Sequence, residues 1–215
     1  MKFVDASHEI LTPISYDGMR ELEIIEQIAR TCYKSEPKHP GPETTKKFIK
    51  NLITRKHEAM LEHGYLTIKF ICDRGVSHEL VRHRMASFAQ ESTRYCNYSD
   101  ERFGSELTFV TPFFMKDTEK EQMREGWLTW LPMMSAAEFA YDELIKQGYS
   151  PQEARSVLPN SLKTEIVVTA NYREWRHILK LRTAPDAHPQ MRELMLPLLE
   201  ELQHRIPVLF DDIKV

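Results

Sequence analysis

Glycine is scarce in this chain, with 7 residues in 215. No Gly-x-Gly occurs anywhere, so neither a dinucleotide-binding fingerprint nor a Walker-type phosphate loop is present. Any phosphate bound here must be held by arginines and helix ends. Cysteine is scarcer still: Cys32, Cys72 and Cys96 are widely spaced and form no Cys-x-x-Cys pair. That argues against a disulfide framework and against a thiolate zinc centre. Long apolar runs are missing too. The stretch Leu194 to Leu199 is interrupted by Pro197 and falls far short of the roughly 20 residues a membrane span needs. The opening MKFVDASHEI carries no apolar core of signal-peptide length, so a cytoplasmic protein that makes no use of a membrane is expected. Basic excess is absent as well. The formal net charge is −3, which argues against nucleic acid as a partner.

What is present suits a globular chain: 41% hydrophobic and 28% charged residues, with no low-complexity linker, repeat or break in composition. The cluster EPKHPGP at 36–42 reads as a loop inside a domain, so one domain of mixed α/β content over 1–215 is expected. Apolar periodicity predicts helices over 19–33, 44–55, 78–88, 135–147, 171–182 and 190–205, the last interrupted by Pro197. Strands are expected within 2–14 and over 65–72, 107–111 and 163–170. Gly148 marks a helix stop. Ser150-Pro151-Gln152-Glu153 is a capping box with proline at the first helical position.

The densest polar feature is Arg82-His83-Arg84, followed by Ser87, Gln90, Ser92 and Arg94. On a helix through Phe88, Arg84 falls within the apolar arc of Leu80, Val81, Met85 and Phe88. There it requires a paired acceptor, because a guanidinium cannot discharge. An internal ion pair with a glutamate would serve. So would a polyanionic ligand such as a nucleotide, since arginine forks match phosphate oxygens. A second feature is 171–182, where Trp175, Ile178, Leu179 and Leu181 form an apolar arc with Arg182 near its centre. Arg173, Arg176 and Lys180 fall on the opposite, solvated face. Arg182 can cap helix carbonyls or face a ligand, and Asn171 can cap the helix or offer its amide to one. A third is His57-Glu58-Ala59-Met60-Leu61-Glu62-His63. Its histidines stand six apart rather than four, so no metal site of the zincin kind is expected. No G-x-S-x-G elbow and no cysteine beside a histidine in sequence marks a nucleophile.

Arg82-His83-Arg84, seven residues, then Ser92 resembles the RHR-x7-S signature of flavin-dependent thymidylate synthases. The stretch HEAMLEH (57–63), the block Arg155-Ser156-Val157-Leu158-Pro159, the Asn171-Tyr172-Arg173 triplet, Arg182, and His188 with Gln190 are similar to other blocks of that family, in order over roughly 57–190. The resemblance implies a mixed α/β (α+β) fold, a single domain with a mainly antiparallel sheet flanked by helices. It implies conversion of dUMP to dTMP with methylenetetrahydrofolate as carbon donor, FAD as cofactor and NADPH as reductant, in a homotetramer with shared sites. By that resemblance Glu79, Arg82, Gln90, Glu91, Ser92, Thr93, Arg94, Arg155 and Arg182 bind dUMP, with Arg182 catalytic. His57, Ala59, Arg82, His83, Arg84, Gln90, Asn171, Tyr172, Arg173 and His177 bind FAD. Glu79 stands where Gln is common in the family pattern, Ala59 where Thr or Ser is frequent, and His177 where Asn is also common. A non-catalytic module binding a nucleotide or nucleic acid through the Arg82–Arg84 turn is the alternative.

Overall fold

The computed structural model describes residues 1–32, 34–37, 39–117 and 119–215. In chain order its elements are β1 (Lys2–Val4), β2 (Ser7–Ile10), α1 (Met19–Thr31), α2 (Pro42–Thr54), β3 (Tyr65–Asp73), α3 (Arg74–Leu80), β4 (Ala86–Gln90), β5 (Thr108–Val110), α4 (Glu121–Lys146), α5 (Pro151–Ala154), β6 (Lys163–Asn171), α6 (Tyr172–Arg182), α7 (Pro189–Arg205) and α8 (Pro207–Phe210). Among the described residues, five short 3-10 turns lie between them. Among the described residues, no helix is long and apolar enough to cross a membrane. Four strands form an antiparallel sheet in the order β2-β3-β6-β4. β1 and β5 pair separately and in parallel, Phe3 opposite Phe109, a local departure from the antiparallel pattern.

The long strands explain themselves. In β3, Leu66, Ile68, Phe70 and Cys72 are buried while the residues between them are less so; in β6, Thr164, Ile166, Val168 and Ala170 repeat the pattern. A period of two puts one face of each strand into a core. Both strands, and β4, run from one to the other of two compact units into which the chain divides: 1–7, 70–82 and 88–167 make the first, and 8–69, 83–87 and 168–215 the second.

In the first unit Leu107, Phe109, Met134, Tyr141, Ala154 and Leu162 form the core. The helix α4 begins at Glu121, fourteen residues before the expected start, and runs through Pro132. Its first half is held by aromatic packing that no local periodicity reveals. Trp127 and Trp130 lie 5.5 and 5.8 Å, centroid to centroid, from Phe3. The helix stops as its sequence predicts. Gly148 takes φ +92°, and the amides of Gly148 and Tyr149 donate to the carbonyls of Ile145 and Leu144, a Schellman ending. The Ser150 capping box forms, but α5 lasts only four residues.

In the second unit α1 packs on α2, α6 on α7, and α8 on α7 and α2, around fully buried Leu22, Ile25, Ile49, Trp175, Leu179 and Leu198. Trp175 also donates from Nε1 to the carbonyl of Leu66 at 2.9 Å. Fully burying each such side chain contributes about 1.5–3 kcal/mol.

One expected element is wrong in a way that matters. No helix runs through 78–88. Asp73 caps α3 by accepting from the amide of Val76 at 2.7 Å, so the helix starts early and ends at Leu80. The segment 81–85 is a turn, and 86–90 is a strand. The alternation in Ala86–Gln90 pairs with β6, and sheet pairing overrides the local helical spacing. Arg84 therefore lies on no apolar helical arc; it is exposed, and His83 is the buried member of the triplet.

Candidate active site

α6 carries the densest group of candidate residues. Asn171 caps it, Oδ1 accepting from the amide of Glu174 at 2.8 Å, so the amide acts as the cap. Tyr172 follows, buried, with its backbone amide donating to the carbonyl of Gly64 at 3.0 Å. A Cβ on Gly64 would stand 2.3 Å from Tyr172 Cε2, so only glycine allows this approach. Tyr172 thus packs in the core beside Phe210, 6.5 Å between ring centres. Two further expectations about this helix fail. Leu181 is exposed, and Arg176 is buried at 2% rather than solvated. Arg176 grips Asp212 with two nitrogens at 2.6 and 2.7 Å and donates to the carbonyl of Leu209. That geometry is a structural clamp on the segment after α8, and it holds the Asp212 carboxyl below its ordinary range. The sequence missed it because Asp212 lies 36 residues away.

His83 sits at 5% exposure. Its Nε2 accepts from Arg182 Nε at 3.0 Å, its Nδ1 lies 3.4 Å from Glu174 Oε1, and its ring meets that of His177 edge-on at 5.8 Å. Burial first, then the Arg182 guanidinium and His177, push its pKa down to about 4. The imidazole is therefore neutral near pH 7. Arg182 is half-buried, and its Nε is held by this uncharged acceptor. Beside this group is a cleft of about 440 Å³ whose lining includes Met85, Asn171, Arg173, Glu174, His177 and Lys180. Arg173 is half-exposed, with Nη1 2.5 Å from Glu62 Oε1. His57 and Ala59 are exposed and line a different cleft of about 520 Å³ with Cys32, Phe48 and Met60. Within one chain they are not brought into the His177 cleft.

Among the described residues, His83, Glu174 and His177 form the one cluster whose ligand atoms, within 4.8 Å of one another, could surround a metal ion. The Arg182 guanidinium bonded to His83 opposes a second cation there. Glu174 itself went unnoticed in the sequence. An acid in the first turn of a helix reads as dipole compensation, and nothing local links it to a histidine 91 positions earlier.

In the first unit the segment after β4 holds the other candidates. Gln90 donates from Nε2 to Ser77 Oγ at 2.9 Å and Thr164 Oγ1 at 3.2 Å. Glu91 is pinned by Tyr98 O–H at 2.8 Å and Lys163 Nζ at 3.0 Å, and its amide donates to the carbonyl of Glu165. Burial and the Glu91 charge raise the Tyr98 pKa well above its ordinary value, so its proton stays on that bond. Ser92 Oγ accepts from the amide of Arg94 at 3.3 Å. Thr93 is buried, and its Oγ1 accepts from Arg155 Nη1 at 3.4 Å. Arg94, stacked 5.5 Å over the Tyr95 ring, and Arg155 are both exposed. Two exposed guanidiniums, Arg94 on this segment and Arg155 bonded to it through Thr93, suit a phosphate. Glu79 and Arg82 lie at the end of α3, the amide of Arg82 donating to the carbonyl of Glu79 at 3.2 Å.

The family described as "Thymidylate synthase complementing protein" matches residues 15–208. A flavin-dependent thymidylate synthase of Corynebacterium aurimucosum is 34% identical over 220 residues, covering 93% of this chain and 83% of that one. One of Pyrococcus furiosus is 34% identical, covering 94% and 73%. The crystal structure of the UMP/dUMP methylase PolB from Streptomyces cacaoi, bound with 5-Br dUMP, superposes with a TM-score of 0.78 at 23% identity, covering 98% of this chain and 96% of that one. It shows the shared fold. The family match across nearly the whole length, with curated relatives at this identity, means that the chain belongs to the flavin-dependent thymidylate synthases.

Proposed function

We propose that residues 1–215 work as one synthase domain that methylates dUMP to dTMP, taking the carbon from methylenetetrahydrofolate and the hydride from NADPH by way of FAD. The observation that carries this reading is Arg182 held at Nε by the neutral, buried His83. A fixed guanidinium beside a uracil carbonyl stabilises charge that develops on the ring and makes C5 the better nucleophile. One preorganised donor of that kind is worth about a hundredfold to a thousandfold in rate. Arg94 and Arg155, both exposed, take the phosphate.

The residues fit a flavin. The cleft of about 440 Å³ beside His177 falls in the range of small-molecule sites, about 300–1,000 Å³. Asn171, Arg173, His177 and Lys180 line it with polar and basic groups beside the carboxylates of Glu58, Glu62 and Glu174, and the exposed Arg84 precedes the lining residue Met85. Reduced flavin, when bound, supplies the hydride that completes the methyl group. The chain's own part is to orient the nucleotide, polarise its ring and exclude water. His57 and Ala59 line a separate cleft in the single chain, so this reading takes the active form to be a homotetramer in which a second subunit completes the site. No side chain need attack the ring. Cys72 is buried and its thiol is pushed up to about 12, chiefly by that burial, so it stays protonated.

The test is an absorption spectrum of the purified protein with NADPH added, and product analysis with dUMP and methylenetetrahydrofolate. A flavin spectrum that bleaches and dTMP that accumulates are expected. A colourless protein that FAD cannot reconstitute overturns the reading.

A further inference from the structure

We propose that Glu174 is a positioning residue whose carboxylate selects the tautomer of His83 that can hold Arg182. The proposal rests on the reading of Arg182 given above. A neutral imidazole has one N–H and one lone pair, and a guanidinium only donates. His83 Nε2 stands 3.0 Å from Arg182 Nε, so that nitrogen must present its lone pair. The proton then sits on Nδ1, which faces Glu174 Oε1 at 3.4 Å. A carboxylate only accepts, so Glu174 and Arg182 demand the same tautomer from opposite sides of the ring. The other tautomer sets N–H against N–H at Arg182 and lone pair against carboxylate at Glu174.

The separation at Nδ1 exceeds that of a full hydrogen bond, about 2.7–3.2 Å, so Glu174 favours this tautomer through its charge rather than through a formed bond. The side chain is well placed for this. Its backbone amide is fixed by Asn171 Oδ1 at 2.8 Å, and the carboxylate is 13% exposed. The chain is thus Glu174 to His83 to Arg182, with only the last touching substrate.

Glu174→Gln is the isosteric probe, because a carboxamide both donates and accepts and so permits either tautomer. Two readouts are needed. Nitrogen NMR of the holoenzyme labelled with 15N-histidine reports the tautomer of His83; steady-state kinetics report dTMP formation. Wild type is expected to show the Nδ1–H form alone. In Glu174→Gln the other tautomer appears and kcat for dTMP falls about 10–100-fold, the range for outer partners that orient a functional histidine. KM for dUMP stays within about twofold, since the loss falls on the transition state. A merely structural Glu174 would shift melting temperature without moving the tautomer. An Nε2–H tautomer in wild type overturns the proposal without any variant, as does a Glu174→Gln enzyme with wild-type tautomer or wild-type kcat. Wild-type protein that makes no dTMP overturns the reading of Arg182 instead, so the two failures are separable.

Discussion

The two compact units hold cationic groups in opposite ways. In the first, Arg94 and Arg155 are exposed, one stacked on Tyr95 and the other tied to the Thr93 hydroxyl. In the second, Arg182 is half-buried against a neutral imidazole that is itself almost wholly buried. Exposed guanidiniums keep their hydration until a polyanion replaces it, and each contributes modestly and in a salt-dependent way. A guanidinium on a buried neutral acceptor acts in a lower dielectric, where the same charge does more. The first arrangement suits holding a phosphate. The second suits stabilising charge as it forms.

The largest effect expected from this difference is at Arg182. Arg182→Ala should lower kcat for dTMP about a hundredfold to a thousandfold, with NADPH-driven flavin reduction little changed. Arg182→Lys should rescue poorly, since an ammonium cannot reproduce the fork. Side-by-side rates of the two half-reactions in one preparation check this. An equal fall in both would erase the contrast between the units and make Arg182 a structural residue.

The neutrality of His83 can be tested without any substrate. Its folded pKa of about 4 lies below the ordinary histidine value of 6.5, so between those pH values the unfolded chain binds the extra proton. Stability from this group is therefore full above pH 6.5, falls as pH drops toward 4, and changes no further below that. The total is up to about 3 kcal/mol, with about 2 kcal/mol lost by pH 5. Urea midpoints at pH 7 and pH 5 should fall further in wild type than in His83→Gln. Asp212, held low by Arg176, contributes stability that is lost only as pH falls through the lower carboxylate range, so the two effects separate. An equal pH response in both proteins would mean His83 is not the buried neutral group.

The sheet strands other than β4, and most helix spans, were legible because their patterns are local: the period of two in β6, the Gly148 stop, the Ser150 box. The site was legible as a set of residue types and much less as geometry. Arg82-His83-Arg84 could be found, but not that His83 turns inward from a tight turn, because strand β4 follows and pairs with a partner some 75 residues later. Arg176 looked solvated because its acceptor, Asp212, comes 36 residues later. Glu174 went unnoticed for the same reason, since His83 lies 91 positions earlier. Each miss involves a long-range partner, which periodicity cannot carry.

The smaller effects lie in the first unit. Arg94→Ala and Arg155→Ala should each raise KM for dUMP about tenfold to a hundredfold, the cost of about 1.5–3 kcal/mol for a charged hydrogen bond, with kcat near wild type. Added salt should raise KM in wild type and less in either variant, because the screened charge is already gone. The smallest predicted effect is the sharpest test of how that unit works. Thr93 is 6% exposed and its hydroxyl accepts from Arg155 at 3.4 Å. Thr93→Val keeps the shape and removes the acceptor, so Arg155 loses its tether but not its charge. The loss should be about 0.5–1.5 kcal/mol, a rise in KM of roughly twofold to tenfold, with kcat unchanged and the salt dependence of wild type retained. If Thr93→Val instead lowered kcat at unchanged KM, Arg155 would be acting on the transition state, as Arg182 is proposed to do, and the division of labour between the two units would fail.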